Sequence, residues 1–515
     1  MKNTSAQKLA RRKRRIAKRL DPQRRWRSRK RPMFTARNIR YEVADRARGT
    51  SHGGIGAVHL LARHVGLIDA IDANLHLLKV HLPYHESDHV LNIAYNIMCQ
   101  GRCLQDLETL RNDEVYLDAL GTGRIPDPTT AGDFCRRFEN DQQVLTLMEA
   151  INEVRLGVWK QQDAKFFDRA VLDADGTIAP TFGQCKQGME ISYDGQWGYH
   201  PLLISLANTK EPLYLVNRSG NRPSHEQADE HLDKGIILCR RAGFKSILLR
   251  GDNDFMQTWK LDEWDAAGDV TFIFGADARK PMIHRAQTLP AQSWRRLQRQ
   301  PKYEVKTRQR ARPDNVKEQV VVEKHFKNYV QQWEDVAEFE HRPDLCRKSY
   351  RMILLRKKLA VEKGQQRLFE EYRYFFYITN DRSSTAEEII FEANDRCDQE
   401  NLIEQLKNGV CAMRNPLDNL HSNWAYMVMA SLAWTLKAWW GLMLPADKGR
   451  WRERYQQQSR QIVKMEFKQF ATHLIRLPCQ IVRSGRRLIY RLLSYNPWQS
   501  VLLRGVAAWR TRTQC

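Results

Sequence analysis

Ala170-Val171-Leu172-Asp173-Ala174-Asp175-Gly176-Thr177 is the stretch on which the fold turns. Apolar residues lead into two aspartates at alternate positions and then a Gly-Thr pair, as in a buried strand that ends in a turn. Asp173 and Asp175 share one face, because strand side chains alternate. An acidic residue at the carboxyl end of a sheet strand is placed for a ligand. Working outward, Tyr199–Ala207, Pro212–Asn217, Ser246–Arg250 and Val270–Phe274 read as further strands, with a helix over about Ser224–Ala242. Strands first in hairpins and then alternating with helices predict a mixed α/β sheet. Asp252, in Arg250-Gly251-Asp252-Asn253-Asp254-Phe255, marks a second acidic strand end.

Residues 51–165 read as helical. Ala57, Leu60, Leu61, Val65, Leu67 and Ile68 keep helical spacing, another helix runs near His89–Cys99, and a third follows Asp127-Pro128-Thr129-Thr130, capped by Asp127 or Thr129. The Gly/Pro turn Gly121–Pro128 before a helix bearing Arg136 and Arg137 fits a helix-turn-helix unit, and makes that arginine pair a candidate DNA contact. Residues 281–370 are polar, basic and partly alternating (Tyr303–Val305, Val320–Val322, Met352–Leu355) and read as a β-rich insertion in a domain that spans 166–280 and 371–445. Trp294, Tyr329 and Trp333 in it are candidates to stack on an unpaired base. Tyr374–Ile378 returns to a buried strand, and a helix runs from Ser384 to about Lys407. Offsets of four and seven put Arg396, Glu400 and Lys407 on one stripe of that helix, with Glu392 and Glu404 competing for the acidic role. Trp424–Leu444 is apolar enough to imitate a membrane span, but Lys437 interrupts it and the flanks are charged, so it reads as a buried helix.

The chain has 515 residues and a formal net charge of +24, placed unevenly. Residues 1–50 hold 19 Lys/Arg against 3 Asp/Glu, and 446–515 hold 15 against 3. A near-neutral body with a basic arm at one end and a basic, helical tail at the other predicts a polyanionic partner. The 10 cysteines form no C-x-x-C pair, which predicts thiols in a reducing compartment and no structural zinc. Arg11–Arg31 is too charged for a signal peptide.

Asp-Gly-Thr at one strand end, Arg-Gly-Asp-x-x-Phe at a second and Arg-x3-Glu-x6-Lys on a late helix together resemble the DDE transposases of bacterial insertion sequences. The resemblance is narrower to the group with a Tyr-x2-Arg-x3-Glu-x6-Lys signature and a β-rich insertion before the glutamate. Ala393 stands where that signature has Tyr. The stretch Leu477–Arg487 also looks like the basic tail of one family branch. The resemblance implies an RNase H-like catalytic domain behind an α-helical N-terminal DNA-binding domain. It implies that Asp175, Asp252 and Glu400 are catalytic metal ligands for Mg²⁺, with Mn²⁺ able to substitute. It favours Asp175 over Asp173, which chemistry alone leaves open. It also implies that Arg396 and Lys407 bind DNA near the reacting end, that the partner is double-stranded DNA, and that a homodimer bridges two DNA ends in the bacterial cytoplasm, at the nucleoid.

The chemistry is consistent with such residues. Two Mg²⁺ ions about 3.5–4 Å apart can activate a water or 3′-hydroxyl and stabilise the leaving oxygen of a phosphodiester. Mg²⁺ is hard and prefers carboxylate and water oxygens. Lys/Arg contacts in the arm and tail add affinity without sequence preference. Two alternatives stay open: a DNA-binding protein of transposase descent with idle carboxylates, and a stand-alone RNase H-like metal nuclease.

Overall fold

Glycine at position 66 divides the first apolar run. Helix α1 (Asn3–Arg19) is followed by α2 (Ile55–His64) and α3 (Leu67–Asn74). Between the last two, Gly66 takes φ 79°, so the single helix expected over Ala57–Ile68 is two. The computed structural model describes residues 3–19, 40–41, 48–81, 83–183, 185–299, 328–363, 371–445, 449–485 and 487–510. Trp26, Tyr303–Val305 and Val320–Val322 lie outside them. Helix α4 (Glu86–Met98) covers the second expected segment. Helix α5 (Pro128–Arg136) starts with proline, whose missing N–H costs nothing there, and Asp127 caps it by accepting from the Thr130 N–H at 2.9 Å. Helix α6 (Asp141–Trp159) packs directly on the sheet. Its buried Arg155 pairs with Glu211 at 3.0 Å, and the Trp159 and Trp439 indoles donate to the same carboxylate at 3.0 and 2.7 Å.

The sheet comprises β1 (Ala170–Gly176), β2 (Leu202–Leu206), β3 (Glu211–Val216), β4 (Ile247–Gly251), β5 (Val270–Ala276), β6 (Arg295–Arg296), β7 (Asn328–His341), β8 (Tyr350–Lys363) and β9 (Glu371–Thr379). Their order is β6-β7-β8-β9-β5-β4-β1-β2-β3. β1, β2 and β3 form an antiparallel meander, while β4 and β5 run parallel to β1. Parallel neighbours need crossovers. Helix α7 (Ala228–Ala242) supplies the first and α8 (Thr258–Ala266) the second. Strands β2, β3 and β4 are buried throughout, which is why they read as unbroken apolar runs. The expected strand over Tyr199–Ala207 begins only at Leu202, because His200-Pro201 interrupts it. The β-rich segment does not stand apart. β9 pairs with β5, and β8 and β7 continue the same sheet outward.

The helix expected from Ser384 to Lys407 is broken. Helix α9 (Ala386–Asp395) stops at Arg396, α10 (Cys397–Glu404) starts there, and a widened π turn over Gln405–Gly409 carries Lys407. Helix α11 (Leu420–Leu442) is almost wholly buried, and no helix among the described residues is long and apolar enough to cross a membrane. Lys437 in it donates to the Val463 and Met465 carbonyls at 2.7 and 2.8 Å.

Helix α12 (Arg452–Lys464), strands β10 (Cys479–Ser484) and β11 (Arg487–Leu492) and helix α13 (Gln499–Trp509) complete the chain. The helical tail expected over 446–515 is therefore corrected: it contains a hairpin, and it folds back on the N-terminal helices. β10 pairs with Gly49–Thr50, and the Gly53 and Gly54 amides donate to Leu477 and Ile475 at 2.9 and 3.0 Å. Trp509 packs edge-on against Trp440 at 5.0 Å. Among the basic residues, Leu477, Cys479, Ile481, Val501 and Trp509 are buried, and these apolar side chains dock the segment.

Candidate active site

The two aspartates of β1 have different fates. Asp173 lies opposite Arg250 in the parallel β1–β4 register and is buried. Arg250 grips it through Nε at 2.7 Å and Nη2 at 2.8 Å, and reaches the Glu392 carbonyl and carboxylate at 2.9 and 3.0 Å. Burial pushes the Asp173 carboxyl up, and the guanidinium opposes the shift. Asp173 and Glu392 thus tie β1, β4 and α9 together. Glu404, the other competing acid, accepts from Asn408 at 2.8 and 2.9 Å.

Asp175, two residues on, is mostly covered, its side chain 15% exposed. Arg396 donates to it from Nη1 at 3.1 Å and extends Nη2 to within 4.0 Å of the Asp252 carboxylate. Arg396 is both the C-cap of α9 and the N-cap of α10, so the helix break itself carries this side chain. Asp252 follows β4 and accepts from the Asp254 amide at 3.0 Å. Gly251 before it must be glycine: a Cβ there would lie 2.6 Å from the Phe255 Cβ. Burial, helped by the negative charges of Asp252 and Glu400 and opposed by Arg396, pushes the Asp175 carboxyl up to about 6. Burial also raises Asp252, again against Arg396.

Gln399 anchors α10. Its buried amide donates to the Asp173 and Leu203 carbonyls at 3.2 and 3.3 Å, which sets the next residue, Glu400, within electrostatic reach of Asp175. Lys407 is half-buried. Burial lowers its ammonium, and Glu404 and Asp175 counter that shift. The straight stripe expected for Arg396, Glu400 and Lys407 does not exist, since a break and a π turn intervene: Arg396 bonds to Asp175, while Glu400 and Lys407 lie within electrostatic reach of it.

Among the described residues no three His, Cys, Asp or Glu side chains form a group that could hold a metal ion. The donor set nonetheless fits one. It is carboxylate in kind, burial raises the proton affinity of its two aspartates, and a guanidinium already stands between them where a cation would balance them.

Arg136 and Arg137 lie on and just after α5, outside this cluster. Arg136 is tied to Asp133 at 2.9 Å and Asp418 at 3.1 Å, and Arg137 is exposed. In the β-rich segment, the Trp294 and Trp333 rings each already carry a guanidinium, from Arg356 at 4.0 Å and Arg296 at 4.8 Å. The side chain of Tyr329 lies outside the described residues. Sequence reasoning overlooked Arg250 and Gln399. The one available signal was an arginine inside the apolar strand Ile247–Gly251.

Fold and site define an α/β protein with a mixed sheet whose strand-end carboxylates gather round basic side chains from a late helix. The family described as "Transposase DDE domain group 1" matches residues 33–513, and the chain belongs to that family. No curated protein matches the chain. Among solved structures, a piggyBac transposase in a synaptic complex with hairpin DNA is similar at 10% identity, over 81% of each chain, with a TM-score of 0.34.

Proposed function

We propose that this transposase binds the terminal inverted repeats of an insertion sequence, cleaves the DNA at those ends and joins the 3′-hydroxyls to target DNA. In this reading β1–β5 with their helices form an RNase H-like catalytic unit, and two protomers bridge two DNA ends. Asp175, Asp252 and Glu400 hold Mg²⁺, or Mn²⁺ in its place, and the bound metal supplies activation of the attacking oxygen and stabilisation of the leaving one. Arg396 and Lys407, at the break and the π turn, neutralise and orient the scissile phosphate. The half-buried setting of Asp175 keeps bulk water away, so each charge there acts at greater strength. Basic side chains elsewhere grip the backbone.

The observation that carries the reading is Arg396 held between Asp175 and Asp252, with Glu400 and Lys407 within electrostatic reach of Asp175, all drawn from separate parts of the chain. Asp252→Asn and Glu400→Gln are expected to cut strand cleavage and transfer by about 100-fold or more, with DNA binding retained. Transfer at the parental rate by both variants would sink the catalytic assignment and favour a binding protein with idle carboxylates. Cleavage without joining would favour a stand-alone nuclease.

A further inference from the structure

The loop after β3 shapes a cleft of about 690 Å³. Arg218 lines it while only 5% exposed. Its Nε donates to the His200 carbonyl at 3.0 Å, and its Nη1 to the carbonyls of Pro223, Ser224 and Glu226 at 3.2, 3.1 and 2.6 Å. Among the described residues, Nη2 has no partner. Carbonyl dipoles hold the guanidinium in place, and the nearby Glu226 carboxylate offsets its charge only in part, since burial still pulls the guanidinium down to about 10. A buried cation left in that state is costly, and an anion entering the cleft would offset it.

The walls favour an anion too. Helices α6, α7 and α11 all begin at this cleft, through Asp141, Gln227 and Asn419. Helix N-termini carry partial positive charge and free N–H groups. The rim charges are largely paired: Asp141 with His421 at 2.9 Å, Glu226 with Arg222 at 3.2 Å, and Arg136 with Asp418. Glu139 is the remaining acid of the lining.

The cleft adjoins the reaction site. Gly176 directly follows Asp175, and a Cβ there would lie 2.9 Å from the His200 Nε2 and 3.2 Å from the Ser224 Cβ. The His200 amide in turn donates to the Arg218 carbonyl at 2.8 Å. The strand end that carries Asp175 is therefore packed against His200 and Ser224, whose carbonyls hold Arg218.

We infer that the Arg218 cleft is a phosphate subsite, holding a DNA phosphodiester a short way along the strand from the one that reacts at Asp175. The inference rests on the DNA-transposase reading. Its test is the salt dependence of binding of the full-length protein to a short fluorescein-labelled DNA duplex. Arg218→Gln is expected to weaken binding and reduce the slope of log K against log salt by about 0.9, the loss of one phosphate contact. Gln187→Glu places a carboxylate at the mouth, where the side chain is exposed, and is expected to weaken binding several-fold without changing the melting temperature. If Arg218→Gln does not fold, Gln187→Glu decides. Parental affinity and slope in the folded variants would overturn the subsite. Weakened binding by these variants, alongside full strand transfer by Asp252→Asn and Glu400→Gln, would leave the subsite standing and remove the catalytic assignment instead.

Discussion

Asp173 and Asp175 lie two residues apart on one strand, yet one is gripped by Arg250 in the interior and the other, beside Arg396, is the proposed reactive group. The sequence showed both on one face of a strand ending in Gly-Thr. Residue chemistry alone did not separate their roles, which only the family resemblance did, because the partner that distinguishes them, Arg250, belongs to a strand reached only through a crossover. Asp173→Asn leaves the buried Arg250 guanidinium without its bidentate partner, and is expected to cost about 3–5 kcal/mol in urea denaturation. Asp175→Asn is expected to abolish strand chemistry without such a loss, because burial already disfavours the charged form there. Equal stability of the two variants would contradict this division. Glu392 and Glu404 compete with Glu400 on helical periodicity; the family spacing favours Glu400, and the hydrogen bonds that Glu392 and Glu404 make to Arg250 and Asn408 set them further apart.

At the scale of elements, the central strands were legible as apolar runs with turn residues at their ends. The helix after β9 was legible as periodicity, but its break at Arg396 was not: no Gly or Pro marks it, and the turn is fixed by Gln399 bonding two strands. The way the β-rich segment joins the sheet was likewise hidden, since strand pairing is non-local. The turn from β9 into α9 offers a pH test. Burial alone would raise the Asp381 carboxyl, but the amides and hydroxyls of Ser383 and Ser384, at 2.6–3.1 Å, hold it down at about 2. A depressed carboxylate stabilises the fold above its unfolded value, and that contribution is lost as pH falls from about 4 to about 2. Wild type should exceed Asp381→Asn by about 1 kcal/mol or less at neutral pH, after solvent screening, and the gap should close below about pH 2. A gap unchanged by acid would refute the role.

In the whole molecule, the C-terminal segment was the least legible part, because its many arginines obscure the few apolar residues that dock it. Trp509 sits in the main core with Trp440, and donates its indole N–H to the Met443 carbonyl at 3.2 Å. Trp509→Ala is expected to cost about 3–5 kcal/mol in denaturant unfolding, whereas an independent tail would lose almost nothing. The central claim is that carboxylates far apart in the chain act together on a divalent metal. Three such acids repel one another, so the metal should stabilise the fold by mass action. The most direct measurement is the melting temperature of the intact protein titrated with Mg²⁺, for wild type, Asp175→Asn, Asp252→Asn and Glu400→Gln. The account predicts a rise for wild type that each substitution reduces or abolishes; the same rise in all four proteins, or none in wild type, would contradict it.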